Sequence, residues 1–158
     1  MLASGEAAIT TAVSAIAMAR KYLGRDETPV ELLCQPAFRD ERRTASLAFY
    51  VTTSAFKKNE HGSNDFLEYT VSKTSKPPTV AGALAARARE GIGPHLGAIG
   101  EEAICVAVLA ICRARLYLED DRLDIRFVPI KEAVEKKGAD GVSLQLPSMK
   151  FVVYVERV

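Results

Sequence analysis

One stretch of this sequence occurs twice, and this repeat constrains the fold more than any other feature. Residues 5–23 read GEAAITTAVSAIAMARKYL, and residues 100–118 read GEEAICVAVLAICRARLYL. At an offset of 95 positions the two segments agree at 12 of 19 residues. Both keep apolar residues at helical spacing, which predicts a helix in each. An internal repeat means that related structural units recur along the chain.

The similarity continues beyond each helix. VELLCQP, which ends at Pro36, aligns with LDIRFVP, which ends at Pro129. LAFYV at residues 47–51 aligns with FVVYV at residues 151–155. Each copy is therefore predicted to contain a helix, a strand, a connection and a second strand.

The second copy carries further elements in front of its repeated helix. Residues 66–72 alternate as a strand does, and residues 79–90 form an Ala-rich helix with Thr79 as its N-cap. A short strand follows at residues 95–99. Residues 66–158 thus read β-α-β-α-β-β. Residues 1–55 contain only the αββ part, with Leu2–Ser4 at most a remnant of a preceding strand, and residues 56–65 form a polar linker.

The second copy resembles a known family. The residues that carry the resemblance are Val71-Ser72-Lys73, VAGALA at 80–85, and Ala98-Ile99-Gly100 followed by Ala103-Ile104. They resemble the stage V sporulation protein S family, part of the wider Alba superfamily of small nucleic-acid-binding proteins. The resemblance implies an α/β fold, an Alba-like βαβαββ two-layer sandwich. Two helices would pack on one face of a four-stranded sheet, and such units commonly pair through the second helix and the last strands.

These pairing elements are the ones that the first copy repeats, so we expect the two copies to form an intramolecular pseudo-dimer. The first copy, however, lacks its β-α-β and would leave a sheet edge and an apolar face uncovered. A second chain could cover them, the pseudo-dimer interface could suffice, or the chain could be a truncated form. These alternatives favour a homo-oligomer or a truncated chain over a simple monomer.

The loop at residues 72–79 is the main candidate for a binding site. It joins a strand to a helix N-terminus, where backbone N–H groups and the helix dipole favour an anion. Its side chains add two positive charges and several hydroxyl donors, which suit phosphate oxygens. The predicted contacts are Lys73, Thr74, Ser75, Lys76 and Thr79, with Arg87 further along the helix. The resemblance implies the same, since the corresponding Alba loop carries lysines that contact nucleic acid. The alternative is a solvated turn whose hydroxyls cap the helix.

Two further loops are weaker candidates. Residues 131–141 are predicted to form a hairpin arm, and Alba proteins use such an arm in the DNA minor groove. Lys136 and Lys137 are its candidate contacts. The segment carries three lysines and three acidic residues, so its net charge is zero, which favours a solvated tip. The corresponding loop of the first copy carries Arg39, Arg42 and Arg43. Glu101 and Glu102 follow Gly100 where archaeal Alba proteins tend to carry arginine, and carboxylates repel phosphate.

Composition excludes several classes of protein. The formal net charge of +1 excludes binding to nucleic acid by a bulk positive field, so such binding needs a local patch. No stretch approaches the roughly 18 apolar residues of a membrane span. Three cysteines, an odd number, and no export signal favour a cytoplasmic or nuclear protein with reduced thiols. Cys105 and Cys112 share one helical stripe and are predicted to be core residues.

The sequence contains no motif of a catalytic, nucleotide or metal site, so we expect no enzyme, cofactor or membrane association. Arg20 and Arg115 recur at the same place in the repeated helix. They are predicted to pack or cap it, with contact to a partner as the alternative. We predict weak binding of DNA or RNA with little sequence specificity. The alternative is a protein–protein assembly or regulatory module that uses the pseudo-dimer face.

Overall fold

Three helices cover one face of a mixed sheet in the computed structural model, which describes residues 1–25, 30–55 and 67–158. The strands are β1 Leu2–Ser4, β2 Val30–Phe38, β3 Ser46–Ala55, β4 Glu68–Val71, β5 His95–Ile99, β6 Leu123–Lys137 and β7 Ser143–Arg157. The helices are α1 Glu6–Leu23, α2 Pro77–Arg89 and α3 Glu101–Tyr117, with a 3-10 turn at Glu119–Asp121. The predicted linker at 56–65 lies outside the described residues.

The described strands form one seven-stranded sheet in the order β1-β3-β2-β6-β7-β5-β4. Strands β4 and β5 pair in parallel, and the other pairs are antiparallel. Residues 68–157 therefore show the predicted β-α-β-α-β-β order. One core joins all three helices to the sheet, with Ile9, Leu84 and Ile104 from the helices and Phe127 and Phe151 from the sheet. This arrangement is the α/β two-layer sandwich that the family resemblance implies.

Both repeated helices begin in the same way. Gly5 and Gly100 have φ values of 88° and 93°, a conformation that only glycine adopts without strain. The Gly5 amide donates to the carbonyl oxygen of Ala45 at 2.8 Å, and the Gly100 amide donates to that of Pro147 at 2.7 Å. At both places the chain therefore leaves a strand and enters the helix through the same tight turn, held by an equivalent hydrogen bond.

The strand registers also correspond. Pro36 lies opposite Phe49, and Pro129 lies opposite Phe151. These pairings support the predicted alignment of the two prolines. The same pairings shift the alignment of LAFYV with FVVYV by two residues, because Phe49 and not Leu47 is the counterpart of Phe151. From these equivalences we infer one complete and one partial copy of the same unit.

The two copies meet where β2 pairs with β6, at Cys34 opposite Phe127. Side chains reinforce this junction. Gln35 Nε2 donates to Asp124 Oδ2 at 3.0 Å, and Arg126 Nη1 donates to Thr52 Oγ1 at 3.0 Å. The antiparallel pairing makes the sheet continuous, and on this basis we infer an intramolecular pseudo-dimer.

An ion pair recurs in both copies. Arg20 Nη2 donates to Glu31 Oε2 at 3.0 Å, and Arg115 Nε donates to Asp124 Oδ1 at 2.9 Å. Each carboxylate also accepts the backbone amide of the next residue, at 3.1 Å from Leu32 and 2.8 Å from Ile125. The repeated arginines therefore tie the end of each helix to the strand that follows, which is the packing role that the sequence predicts.

Arg115 makes one contact more than its counterpart, because Nη1 donates to the carbonyl oxygen of Pro36 in the other copy at 2.8 Å. Its Nη2 also donates to Asp124 Oδ2 at 3.1 Å, and lysine cannot make these three directed contacts at once. We expect Arg115→Lys to lower the free energy of unfolding by about 1–2 kcal/mol. Denaturant titration measures this loss, and Arg20→Lys is the matched control with a smaller expected loss. An equal loss in both variants would contradict a role of Arg115 at the junction.

Gly93 lies against the backbone of β7. A methyl group at this position would collide with the carbonyl oxygen of Val153. We expect Gly93→Ala to destabilise the protein by about 1–3 kcal/mol, measured as a lower midpoint of thermal or denaturant unfolding. Gly82→Ala is the control. Nothing lies within 4 Å of its added methyl, so this change inside α2 should stabilise by about 0.5–1 kcal/mol. Equal stability of parent and Gly93→Ala would exclude the close approach.

Candidate nucleic-acid interface

The β4–α2 loop, residues 72–76, is held by hydrogen bonds among its own short side chains. The Ser72 amide donates to Ser75 Oγ at 3.0 Å, and the Ser75 amide donates to the Ser72 carbonyl oxygen at 3.1 Å. The Ser72 and Thr74 hydroxyl oxygens lie 2.9 Å apart. Such local side chain–backbone bonds define a turn and reduce its conformational freedom. The two lysines of this loop therefore project from an ordered backbone.

Helix α2 begins at Pro77, so the prediction of Thr79 as N-cap was wrong. Lys76 precedes the helix, and Pro77 and Pro78 fill its first positions. Proline has the φ angle that a first helical turn needs, but it lacks an N–H group. The Thr79 amide is already bonded to the Lys76 carbonyl oxygen at 3.0 Å. The expected anion site of free helix amides is therefore depleted, and the lysine side chains remain the main source of attraction for a phosphate.

The predicted loop residues do lie together. Lys73, Thr74, Lys76 and Thr79 are exposed, and Ser75 is half-buried. Within the described part of the chain, neither lysine has an acidic partner within ion-pair distance. Their positive charges are consequently available to a ligand in solvent.

The β6–β7 hairpin extends beyond the neighbouring strand β5. It does so at the edge of the sheet where the strands end beside the β4–α2 loop. Strand β5 ends at Ile99, opposite Ser148. Residues 133–147, the hairpin arm, continue past this point, and Gly138 and Val142 close the tip with a backbone bond of 2.9 Å. Lys137 is exposed there. Lys136 belongs to β6, and its side chain lies outside the described residues.

The loop and the hairpin arm are neighbours along this edge. Val71 at the end of β4 pairs with Ala98, which pairs with Met149. Two strand spacings, about 10 Å, therefore separate the end of β4 from β7. The N-terminus of α3 also opens on this edge, with Glu101 and Glu102 exposed. These carboxylates would repel a phosphate, so the favourable contacts concentrate at the loop.

Arg87 does not join this group. It lies in the last turn of α2, about 15 Å along the helix from the loop. Its Nη1 donates to Glu90 Oε2 at 2.8 Å. A hydrogen bond to Tyr69 has the largest effect in raising the pKa of the Arg87 guanidinium, and the hydrogen bond to Glu90 has the next largest. The predicted set of contacts is therefore divided between two ends of α2.

Arg39, Arg42 and Arg43 of the first copy lie at the opposite edge. Because β2 runs antiparallel to β6, its C-terminal end lies beside the start of β6 and the end of α3. A cleft of about 820 Å³ is present there. Its charged lining consists of Arg39, Arg43, Arg115 and Arg122 with Asp40, Glu41, Glu119 and Asp124. No sequence pattern predicts this cleft, because its walls come from distant segments of the chain. Its balanced charge does not favour an anion.

The comparison with known families is decisive for the second copy. The sequence profile of stage V sporulation protein S (SpoVS) matches residues 68–156, more than half of the 158-residue chain. The chain belongs to the SpoVS family. The resemblance seen in the sequence is thereby confirmed. The match begins at the first residue of β4 and ends in β7, so it includes the β4–α2 loop and the hairpin arm. A comparison with curated proteins gave no match.

The described residues of this SpoVS chain give little support for a reactive thiol, a metal site or a membrane span. Cys34, Cys105 and Cys112 are buried, as predicted for the two in α3. Burial raises the pKa of Cys34 and Cys112 to about 12 and that of Cys105 to about 11, so little thiolate forms near neutral pH. Among the described residues, no cluster of His, Cys, Asp and Glu is suited to a metal ion. No helix in the described ranges is long and apolar enough to cross a membrane.

Proposed function

We propose that this SpoVS-family chain binds nucleic acid through its phosphates at the β4–α2 loop. The observation that carries the proposal is the pair of exposed lysines, Lys73 and Lys76, on a loop ordered by its own hydroxyl groups. Neither lysine is neutralised by an acidic side chain within the described chain. Lysine attracts phosphate as a point charge, and such contacts position a protein on nucleic acid without reading its sequence.

The same geometry predicts weak and nonspecific binding. Two lysines, Thr74 and Thr79 are exposed, while the exposed Glu101 and Glu102 limit the basic surface. Lys137 on the hairpin arm adds a further contact if the ligand spans both projections. The proposed role needs no catalytic group, no cofactor and no metal. We place it in the cytoplasm, or in the nucleus of a eukaryote, as a regulatory role in sporulation that the family name implies.

A protein–protein assembly module is the second candidate. Two observations favour it: the exposed acidic pair, Glu101 and Glu102, near the loop, and the position of β1, which among the described strands pairs only with β3. Such a module would recruit a subunit through the pseudo-dimer and would not need the lysines.

A direct titration separates the two candidates. Fluorescently labelled duplex DNA, single-stranded DNA and RNA are titrated with the full chain, and anisotropy is followed at low salt and at increasing salt. We expect binding to at least one of the three that weakens steadily as salt rises, because phosphate binding releases counterions. No binding to any of them at low salt would reject the proposal and leave the assembly module.

A further inference from the structure

Three unpaired carboxylates lie together at the starts of α1 and α3. This acidic patch consists of Glu6, Glu101 and Glu102, which are exposed in the first turns of the two helices. Among the described residues, none of the three has a cation within ion-pair distance. Thr10 Oγ1 donates to the Glu101 carbonyl oxygen at 3.4 Å, so the two helix starts are neighbours. Burial raises the pKa of the Cys105 thiol most, and Glu6 and Glu101 both add to the rise, which places both carboxylates near one thiol.

The carboxylates of α3 lie between the β4–α2 loop and the hairpin arm. Strands β4 and β5 are parallel neighbours, and each is followed by a helix, so α2 and α3 begin at the same edge. These helices pack against each other, and packed helices lie about 8–10 Å apart. On the other side, the Gly100 amide donates to the Pro147 carbonyl oxygen of the hairpin arm at 2.7 Å. Glu101 and Glu102 are therefore about 10 Å from the loop and next to the base of the arm.

A duplex and a single strand meet the acidic patch differently. The phosphates of the two strands of B-DNA face each other across grooves about 6 Å and about 12 Å wide. A duplex laid from the loop to the arm must cross the patch, and it cannot bend around it because DNA is stiff over about 50 nm. Its second row of phosphates then lies over the carboxylates. A single strand has one row of phosphates and a flexible backbone, so it can bind the loop lysines and turn away from the patch.

We propose that the chain selects single-stranded nucleic acid over duplex, with the β4–α2 loop as the binding site and the acidic patch as the element that excludes the duplex. This selectivity rests on the nucleic-acid binding proposed above and adds the class of ligand. The repulsion acts over about 10 Å, which is the Debye length at about 0.1 M ionic strength, and it is stronger at low salt. Each carboxylate–phosphate pair at this distance lowers the affinity about twofold in water, so several pairs together give about tenfold.

Anisotropy titrations of the full chain at low salt measure the selectivity. The ligands are one labelled strand without self-complementarity, made as DNA and as RNA, and the duplex of the DNA strand with its complement. We expect the single strands to bind about tenfold more tightly than the duplex. If only one of the two does so, the sugar is part of the recognition and the selectivity still holds. Glu101→Gln/Glu102→Gln removes two charges at nearly constant size, and we expect it to strengthen duplex binding about fivefold and single-strand binding less than about twofold.

The matched control removes two carboxylates from the other end of α3. Glu119→Gln/Asp120→Asn alters two exposed residues of the 3-10 turn and changes the net charge equally. We expect this control to leave the preference for single strands unchanged, and circular dichroism checks that both variants keep the parent fold. A parent that binds the duplex as tightly as the single strands would overturn the proposal, as would a patch variant that keeps the full preference or a control that loses it equally. No binding of any ligand would instead reject the proposed function itself, and the selectivity with it.

Discussion

Lys73→Ala/Lys76→Ala is expected to lower the affinity for nucleic acid about tenfold at low salt and to flatten its salt dependence. The tenfold loss corresponds to about 1.4 kcal/mol, or roughly 0.7 kcal/mol for each lost lysine–phosphate contact. For duplex DNA each contact adds about 0.9 to the slope of log K against log salt, so the slope should fall by about 2. Anisotropy titrations of parent and variant over a salt series measure both quantities.

The control removes two positive charges elsewhere. Arg42 and Arg157 are exposed at the opposite edge of the sheet, and Arg42→Ala/Arg157→Ala changes the net charge equally. We expect the control to bind nearly as tightly as the parent, with an unchanged slope. If both variants lose affinity equally, binding depends on net charge and not on the β4–α2 loop. If the control loses more, the contact surface lies at the edge that carries the β2–β3 loop.

Much of the fold was accessible from the sequence because the repeat is carried by residues with strong local signals. Gly5 and Gly100 mark helix starts that need a positive φ, and the apolar pattern after them predicts the helices. Pro36 lies opposite Phe49 and Pro129 opposite Phe151, which is consistent with the first alignment of the strands. The second alignment failed by two residues, because runs such as LAFYV and FVVYV are apolar throughout and contain little information about register.

The candidate site was predictable only in part. The lysines and hydroxyls of the loop are adjacent in sequence, so their proximity follows directly. The start of α2 was placed two residues late because Pro77 and Pro78 were read as part of the loop, whereas proline is favoured in the first helical turn. Arg87 was assigned to the site without its partners, Tyr69 and Glu90. The contacts of Arg115 with Asp124 and Pro36 join distant segments of the chain, so no local sequence pattern predicts them.

Phe127→Ala tests whether the two copies fold as one unit, and we expect a loss of about 3–5 kcal/mol in the free energy of unfolding. Phe127 is fully buried, and its ring meets that of Phe151 edge to face at a centroid distance of 5.2 Å. It also lies opposite Cys34, at the pairing between the copies. Removing the ring leaves a cavity at the junction, which should destabilise both sides of it. Denaturant titration measures the loss.

Hydrogen exchange shows how that loss is distributed. If the junction makes the chain cooperative, slowly exchanging amides of α1 and of α3 should lose protection together, by at least about a hundredfold, since each 1.4 kcal/mol is a factor of ten. Tyr50→Ala is the aromatic control: Tyr50 is 61% exposed on β3, and its removal should change stability by less than about 0.5 kcal/mol. Loss of protection in α3 alone would mean that the partial copy folds independently, and the inferred pseudo-dimer would then be two separate domains.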